Sequence, residues 1–129
     1  TGVVGNAANA TQWDAGSGSK AWVAAFNTTG YGTLTVSSAQ RSSNTGPRDF
    51  QLEYSTDGSS WTAVTGAAIT VGNNFTSGVL TNMTLPAAME NDPTVYLRWI
   101  MTSNNAVSGT LGSSGTSRLD EVVISGIPL

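Results

Sequence analysis

Apolar residues recur at every second position along much of the chain, the spacing of a half-buried β-strand. In YGTLTVSS, Tyr31 to Ser38, Leu34 and Val36 take one face and Thr33, Thr35 and Ser37 the other. In FQLEYS, Phe50 to Ser55, Phe50, Leu52 and Tyr54 alternate with Gln51 and Glu53. In VYLRWIMT, Val95 to Thr102, Val95, Leu97, Trp99 and Met101 face one way and Tyr96, Arg98 and Ile100 the other. Ala21 to Asn27, Trp61 to Val64, Ala68 to Val71, Val79 to Leu85 and Leu119 to Ser125 supply further strands with looser patterns. No window carries helical periodicity, and Pro86 to Asn91 has room for one short helical turn.

The breaks between these runs agree with them. Asp57-Gly58, between FQLEYS and Trp61 to Val64, is a strong short-range signal for a hairpin. Gly30, Thr45-Gly46-Pro47, Gly72-Asn73-Asn74, Asp92-Pro93 and Gly112 to Gly115 mark further turns. Strands at this spacing, without an internal repeat, predict one all-β domain over residues 1–129, an antiparallel β-sandwich. The Ser-, Gly- and Asn-rich stretch 103–116 is long for a connection, which predicts a functional or mobile loop or an idle loop tip. Trp61 and Trp99 fall in phase with the core, and Trp22 and Phe26 are expected there too. Trp13, Tyr31 and Phe75 sit beside loops, where a ring either plugs the end of a sandwich or stacks on a ligand.

Composition narrows the partners. Charged residues make up 10% of the chain, against about 25% in an average domain, so Ser, Thr, Asn and Gly cover the surface. Four Trp, three Tyr and three Phe nevertheless give the chain a core to build on, which excludes a disordered segment. Net charge is −3, and the five Lys and Arg are scattered. No basic run exists to neutralise phosphates, so nucleic acid is not an expected partner. No apolar run is long enough for a bilayer, and no basic amphipathic helix suits a membrane surface. The absence of Cys and His removes thiolate nucleophiles, Ser-His-Asp triads and the usual zinc ligands. The polar, weakly charged style fits a secreted bacterial protein. The start at Thr1, without Met or a signal peptide, reads as a monomeric module appended to a larger one.

Three segments carry a family likeness. FQLEYSTDGSSWTAV, residues 50–64, resembles the strand-turn-strand of discoidin-like and galactose-binding-like jelly rolls. SRLDEVVISG, residues 117–126, looks like the last strand of jelly-roll carbohydrate-binding modules, and LRWIMTSN like the strand before it. With RSSNTGPRDF, the likeness runs from Tyr31 to the C-terminus and is similar to domains appended to secreted bacterial enzymes and surface proteins. It implies a jelly roll, a sugar ligand and one structural calcium ion. Asp120 matches the position that contributes to such a calcium. The first-strand region, which would supply the other ligands, departs from the pattern, holding Asn6, Asn9 and Asp14 but no Glu.

The chemistry on offer is binding chemistry. A glycosidase needs two carboxylates about 5–10 Å apart across a cleft. Asp57 and Asp92 belong to turns, and Glu53, alone at mid-strand, has no evident partner, so no catalysis is expected. Gln51, Glu53, Tyr96 and Arg98 point away from the core. If their strands share a sheet with Thr33, Thr35 and Ser37, they present amide, carboxylate, phenol and guanidinium groups together. Such a face, with Arg41 at its rim, suits a polysaccharide. The same residues also allow a solvated face closed by a Glu53–Arg98 ion pair, as in a structural or adhesive spacer domain. Arg41 and Arg48 flank the loop SSNTGP, where they can brace its carbonyls or reach a ligand.

Overall fold

The strand-forming segments find their partners mostly far away in sequence. The computed structural model describes residues 8–129. Its strands are β1 (Ala8–Ala10), β2 (Ala21–Phe26), β3 (Tyr31–Ser42), β4 (Asp49–Ser55), β5 (Thr62–Thr70), β6 (Leu80–Thr84), β7 (Val95–Met101) and β8 (Ser117–Pro128). A single 3₁₀ turn, Ala87–Met89, lies in the stretch that allowed one short helical turn. No described helix is long and apolar enough to cross a membrane.

Two antiparallel four-stranded sheets form a β-sandwich, with strand orders β1-β8-β3-β6 and β2-β7-β4-β5. The pairing is nested. β4 pairs with β5, β3 with β6, β2 with β7 and β1 with β8. The expected grouping of β3 with β4 and β7 is therefore corrected: Thr33, Thr35 and Ser37 belong to the opposite sheet. The two segments expected at Trp61 to Val64 and Ala68 to Val71 are one strand, β5, interrupted at Gly66 (φ 76°) by a wide bulge. There Val64 to Ala67 lie opposite Leu52 alone.

The core forms where the inward faces meet. Leu34, Val36 and Leu80 from one sheet pack with Phe50, Leu52, Leu97, Trp99 and Met101 from the other. Each such large side chain contributes roughly 1.5–3 kcal/mol when fully buried. The two inward tryptophans need partners for their N–H groups, and serines of the opposite sheet supply them. Trp99 Nε1 donates to Ser38 Oγ (3.1 Å) and Trp22 Nε1 to Ser117 Oγ (3.0 Å). Trp13 is a plug rather than a ligand platform. It is 4% exposed, 5.7 Å from the Trp22 ring and 5.9 Å from the Phe50 ring, and its indole donates to the Ala10 carbonyl.

The stretch 103–116 is not a free loop. Backbone bonds staple it to residues 43–48: Arg48 N to Asn105 O (3.1 Å), Val107 N to Gly46 O (3.0 Å), Ser108 N to Asn44 O (2.8 Å) and Gly112 N to Thr45 O (3.1 Å).

Candidate functional site

The outward face of the β2-β7-β4-β5 sheet brings together most of the expected contact residues. β4 and β7 are neighbours in a register that sets Glu53 directly opposite Arg98, and Ser55 opposite Tyr96. Opposite residues in an antiparallel pair have Cβ atoms about 4.5–5.5 Å apart, so a carboxylate and a guanidinium at this pair meet. Arg98 Nε and Nη2 both reach Glu53 Oε1 at 2.7 Å, with both side chains about a fifth to a quarter exposed (21% and 24%).

Trp61 is the residue that pattern reasoning misplaced. It stands just before β5 and continues the apolar alternation, which suggested the core. It is half-buried on the outer face instead, with the Arg98 guanidinium 4.3 Å from its ring centroid. The ring is drawn there by the cation and by Tyr96, which it meets edge-on at 6.3 Å and 64°. The hairpin turn completes the arrangement. Gly58 adopts φ 80°, a conformation glycine enters freely, and a Cβ at this position would lie 3.2 Å from the Tyr96 ring. The sequence signal for this platform was present but ambiguous: a Trp directly after a D-G turn, opposite a strand bearing an outward Arg.

The other expected contacts divide. Gln51 is on the face, but its Nε2 donates to Leu52 O (2.9 Å) and Val64 O (3.1 Å), bracing the β4–β5 pair where the bulge interrupts the ladder. Ile100 keeps the outward phase yet is 5% exposed, so it offers a ligand nothing. Arg41 is corrected outright. It lies on β3 of the opposite sheet, bonded to Asn73 Oδ1 (2.9 Å) and 6.0 Å from the Phe75 ring, and cannot rim this face. Among the described residues Arg48 braces no carbonyl; it grips Asp49 through two bonds of 2.9 and 3.0 Å. That grip holds the Asp49 carboxyl below the usual carboxylate range, assisted by the Ser103 hydroxyl at 2.6 Å.

Asp120, the expected calcium ligand, follows Leu119, which pairs with Ala8 of β1. It lies in β8 opposite Ala39, and its Oδ1 accepts the Glu121 amide. Asn9 is opposite Arg118 and Asp14 is 3.9 Å from Lys20, while Asn6 lies outside the described residues. Among the described residues no three of His, Cys, Asp and Glu come together as metal ligands.

Apart from this face, a groove of about 630 Å³ runs between the β5 and β6 edges and is lined by Tyr54, Thr62, Thr65, Asn82, Met83 and Thr84 among others. Its lining residues carry no charge at neutral pH. No known protein family, characterised protein or solved structure matches this chain.

Proposed function

We propose that this domain is a non-catalytic polysaccharide-binding module of a larger secreted protein, and that its nested strand pairing is that of a jelly roll. The observation that carries the reading is Trp61, held against Arg98 and beside Tyr96 on the outer sheet face. A pyranose ring has an apolar C–H face and a rim of hydroxyls. An indole fixed in advance supplies the surface for the first at little entropic cost. Glu53 Oε2, Gln51 Oε1 and the Tyr96 hydroxyl make no hydrogen bond among the described residues and can serve the second. With one platform and few polar groups, affinity is micromolar or weaker, about −8 kcal/mol at 1 μM.

The non-catalytic part of the reading rests on spacing. The carboxylates on this face are Asp49 and Glu53, four residues apart on one strand, with Cα atoms about 13 Å apart at 3.3 Å per residue and each paired to a different arginine. That spacing exceeds the roughly 5–10 Å a glycosidase pair spans.

Native affinity electrophoresis against a panel of soluble polysaccharides tests the proposal. Retardation by one polymer class, reduced at least tenfold in Trp61→Ala with the circular dichroism of the wild type, is the expected result. Binding on this face uses no metal, so EDTA is expected to leave retardation unchanged. Loss in Tyr54→Ala but not in Trp61→Ala would move the site to the groove between β5 and β6. A folded protein retarded by no polymer would leave the spacer reading, which the closed Glu53–Arg98 pair suits.

A further inference from the structure

The charges on the candidate face are already spent on one another. Arg98 is bonded to Glu53, and Arg48 to Asp49, which accepts Ser103 as well. The remaining cations are engaged or elsewhere. Lys20 donates to the carbonyls of Gln12 and Asp14, Arg41 is bonded to Asn73, and Arg118 lies on β8 of the opposite sheet. What the face offers an incoming ligand is therefore two aromatic rings and a set dominated by acceptors: Glu53 Oε2, Gln51 Oε1 and a phenol.

We infer that the face selects neutral glycans, and that Glu53 is the residue that excludes anionic ones. This rests on the carbohydrate-binding reading above and deepens it. Sugar hydroxyls can donate to these acceptors. A uronate or sulfate brings its own negative charge against Glu53 and Gln51 oxygens and finds, among the described residues of the face, no guanidinium that lacks a carboxylate partner. The Nη1 end of Arg98 keeps free N–H donors, but its positive charge is already offset by Glu53, whose carboxylate would lie beside the ligand's. Glu53 thus has two roles on one side chain: it holds Arg98 against Trp61, and it cancels the charge that would attract acidic polymers.

Glu53→Gln keeps the shape and removes the cancelling charge, freeing Arg98. The probes are neutral glucan, mannan and galactan, and polygalacturonate as the anionic polymer. Wild-type protein is expected to be retarded by a neutral polymer and not by polygalacturonate. Glu53→Gln is expected to gain retardation by polygalacturonate of at least about tenfold, abolished by about 0.5 M NaCl, where the screening length falls to a few ångströms. Asp120→Asn, the same charge change on the other sheet, is expected to gain none. Salt-sensitive binding of polygalacturonate by the wild type overturns the inference and leaves the carbohydrate reading standing. So does a Glu53→Gln protein that gains nothing. Retardation by no polymer at all overturns both. If Glu53→Gln fails to fold, the wild type decides alone. Neutral-polymer retardation unchanged up to about 0.5 M NaCl supports the inference, and a tenfold fall overturns it.

Discussion

Gln40 is fully buried on the inward side of β3, between Ser38 and Ser42, and neither its Oε1 nor its Nε2 finds a partner among the described residues. Its neighbours do better: Ser38 serves Trp99, and Ser42 donates to the Pro47 carbonyl at 2.7 Å. An unmet buried amide costs about 1–3 kcal/mol, so Gln40→Met, similar in volume and without the polar atoms, is expected to raise unfolding free energy by about that amount in urea titrations. Two carboxylates work in the opposite sense. Asp57 accepts the Ser60 and Ser59 amides and the Ser55 hydroxyl, and Asp49 accepts Arg48, so both carboxyls lie below their ordinary value. A depressed folded-state value stabilises the protein above the unfolded value, near pH 4, and that contribution is lost as pH falls through the folded one. Melting temperature is therefore expected to fall below about pH 4, and less steeply in Asp49→Asn and Asp57→Asn, each already weakened at neutral pH. Residue identity was legible in the sequence where alternation and burial agree, as at Leu52, Leu97 and Trp99. It misled at Trp61, where alternation pointed inward but a cation and a second ring held the indole outside.

At the scale of elements, β3 shows what alternation cannot reveal. It runs from Tyr31 to Ser42, longer than its apolar pattern, and its register with β8 and β6 shifts along the way. Each shift coincides with a non-glycine residue in the left-handed region: Thr33 (φ 49°) and Glu121 (φ 51°) toward β8, Asn82 (φ 47°) toward β6. Such a residue costs roughly 1–2 kcal/mol, most for a β-branched side chain and least for Asn. Thr33→Gly is expected to stabilise the domain by about 0.5–1 kcal/mol after glycine's own entropic cost, and Asn82→Gly to change little. Thermal denaturation of the two variants side by side checks the contrast. The β4–β5 hairpin was readable from Asp57-Gly58, though its connection is the longer loop 56–61, with positive φ at Gly58 and not at Asp57. Bulges in β3 and its partners were not, since nothing in a Thr or a Glu announces that its partner strand will be one residue out of step. That the stretch 103–116 is pinned to residues 43–48 was hidden for the same reason: its anchors are backbone groups, which every sequence has.

Over the whole molecule, the sandwich class was visible from strand spacing, while the assignment of strands to sheets was not. Pairings such as Trp22 with Trp99 and Asn9 with Arg118 are set by global packing and leave no local trace. That is why Arg41 and the Thr33 face were grouped with Glu53 and Arg98 when they lie on the other sheet. The candidate site was half legible, because β4 and β7 each showed their outward residues, and their adjacency makes the face.

The nesting has a consequence for how the chain is made. Only β4 and β5 meet close neighbours in sequence, Glu53 with Ala63; Thr35 waits for Thr84, Trp22 for Trp99 and Asn9 for Arg118. Loop closure favours the near pairing first, so order should spread from the middle of the chain outward. On the ribosome, β1, β2 and β3 emerge before their partners exist. The sheet that holds β8 between β1 and β3 cannot be completed until the domain's last strand is free of the exit tunnel. Trp61 would meet Arg98 earlier, once β7 is out, so a nascent chain stalled ahead of β8 would hold the elements of the candidate face before it holds a finished fold.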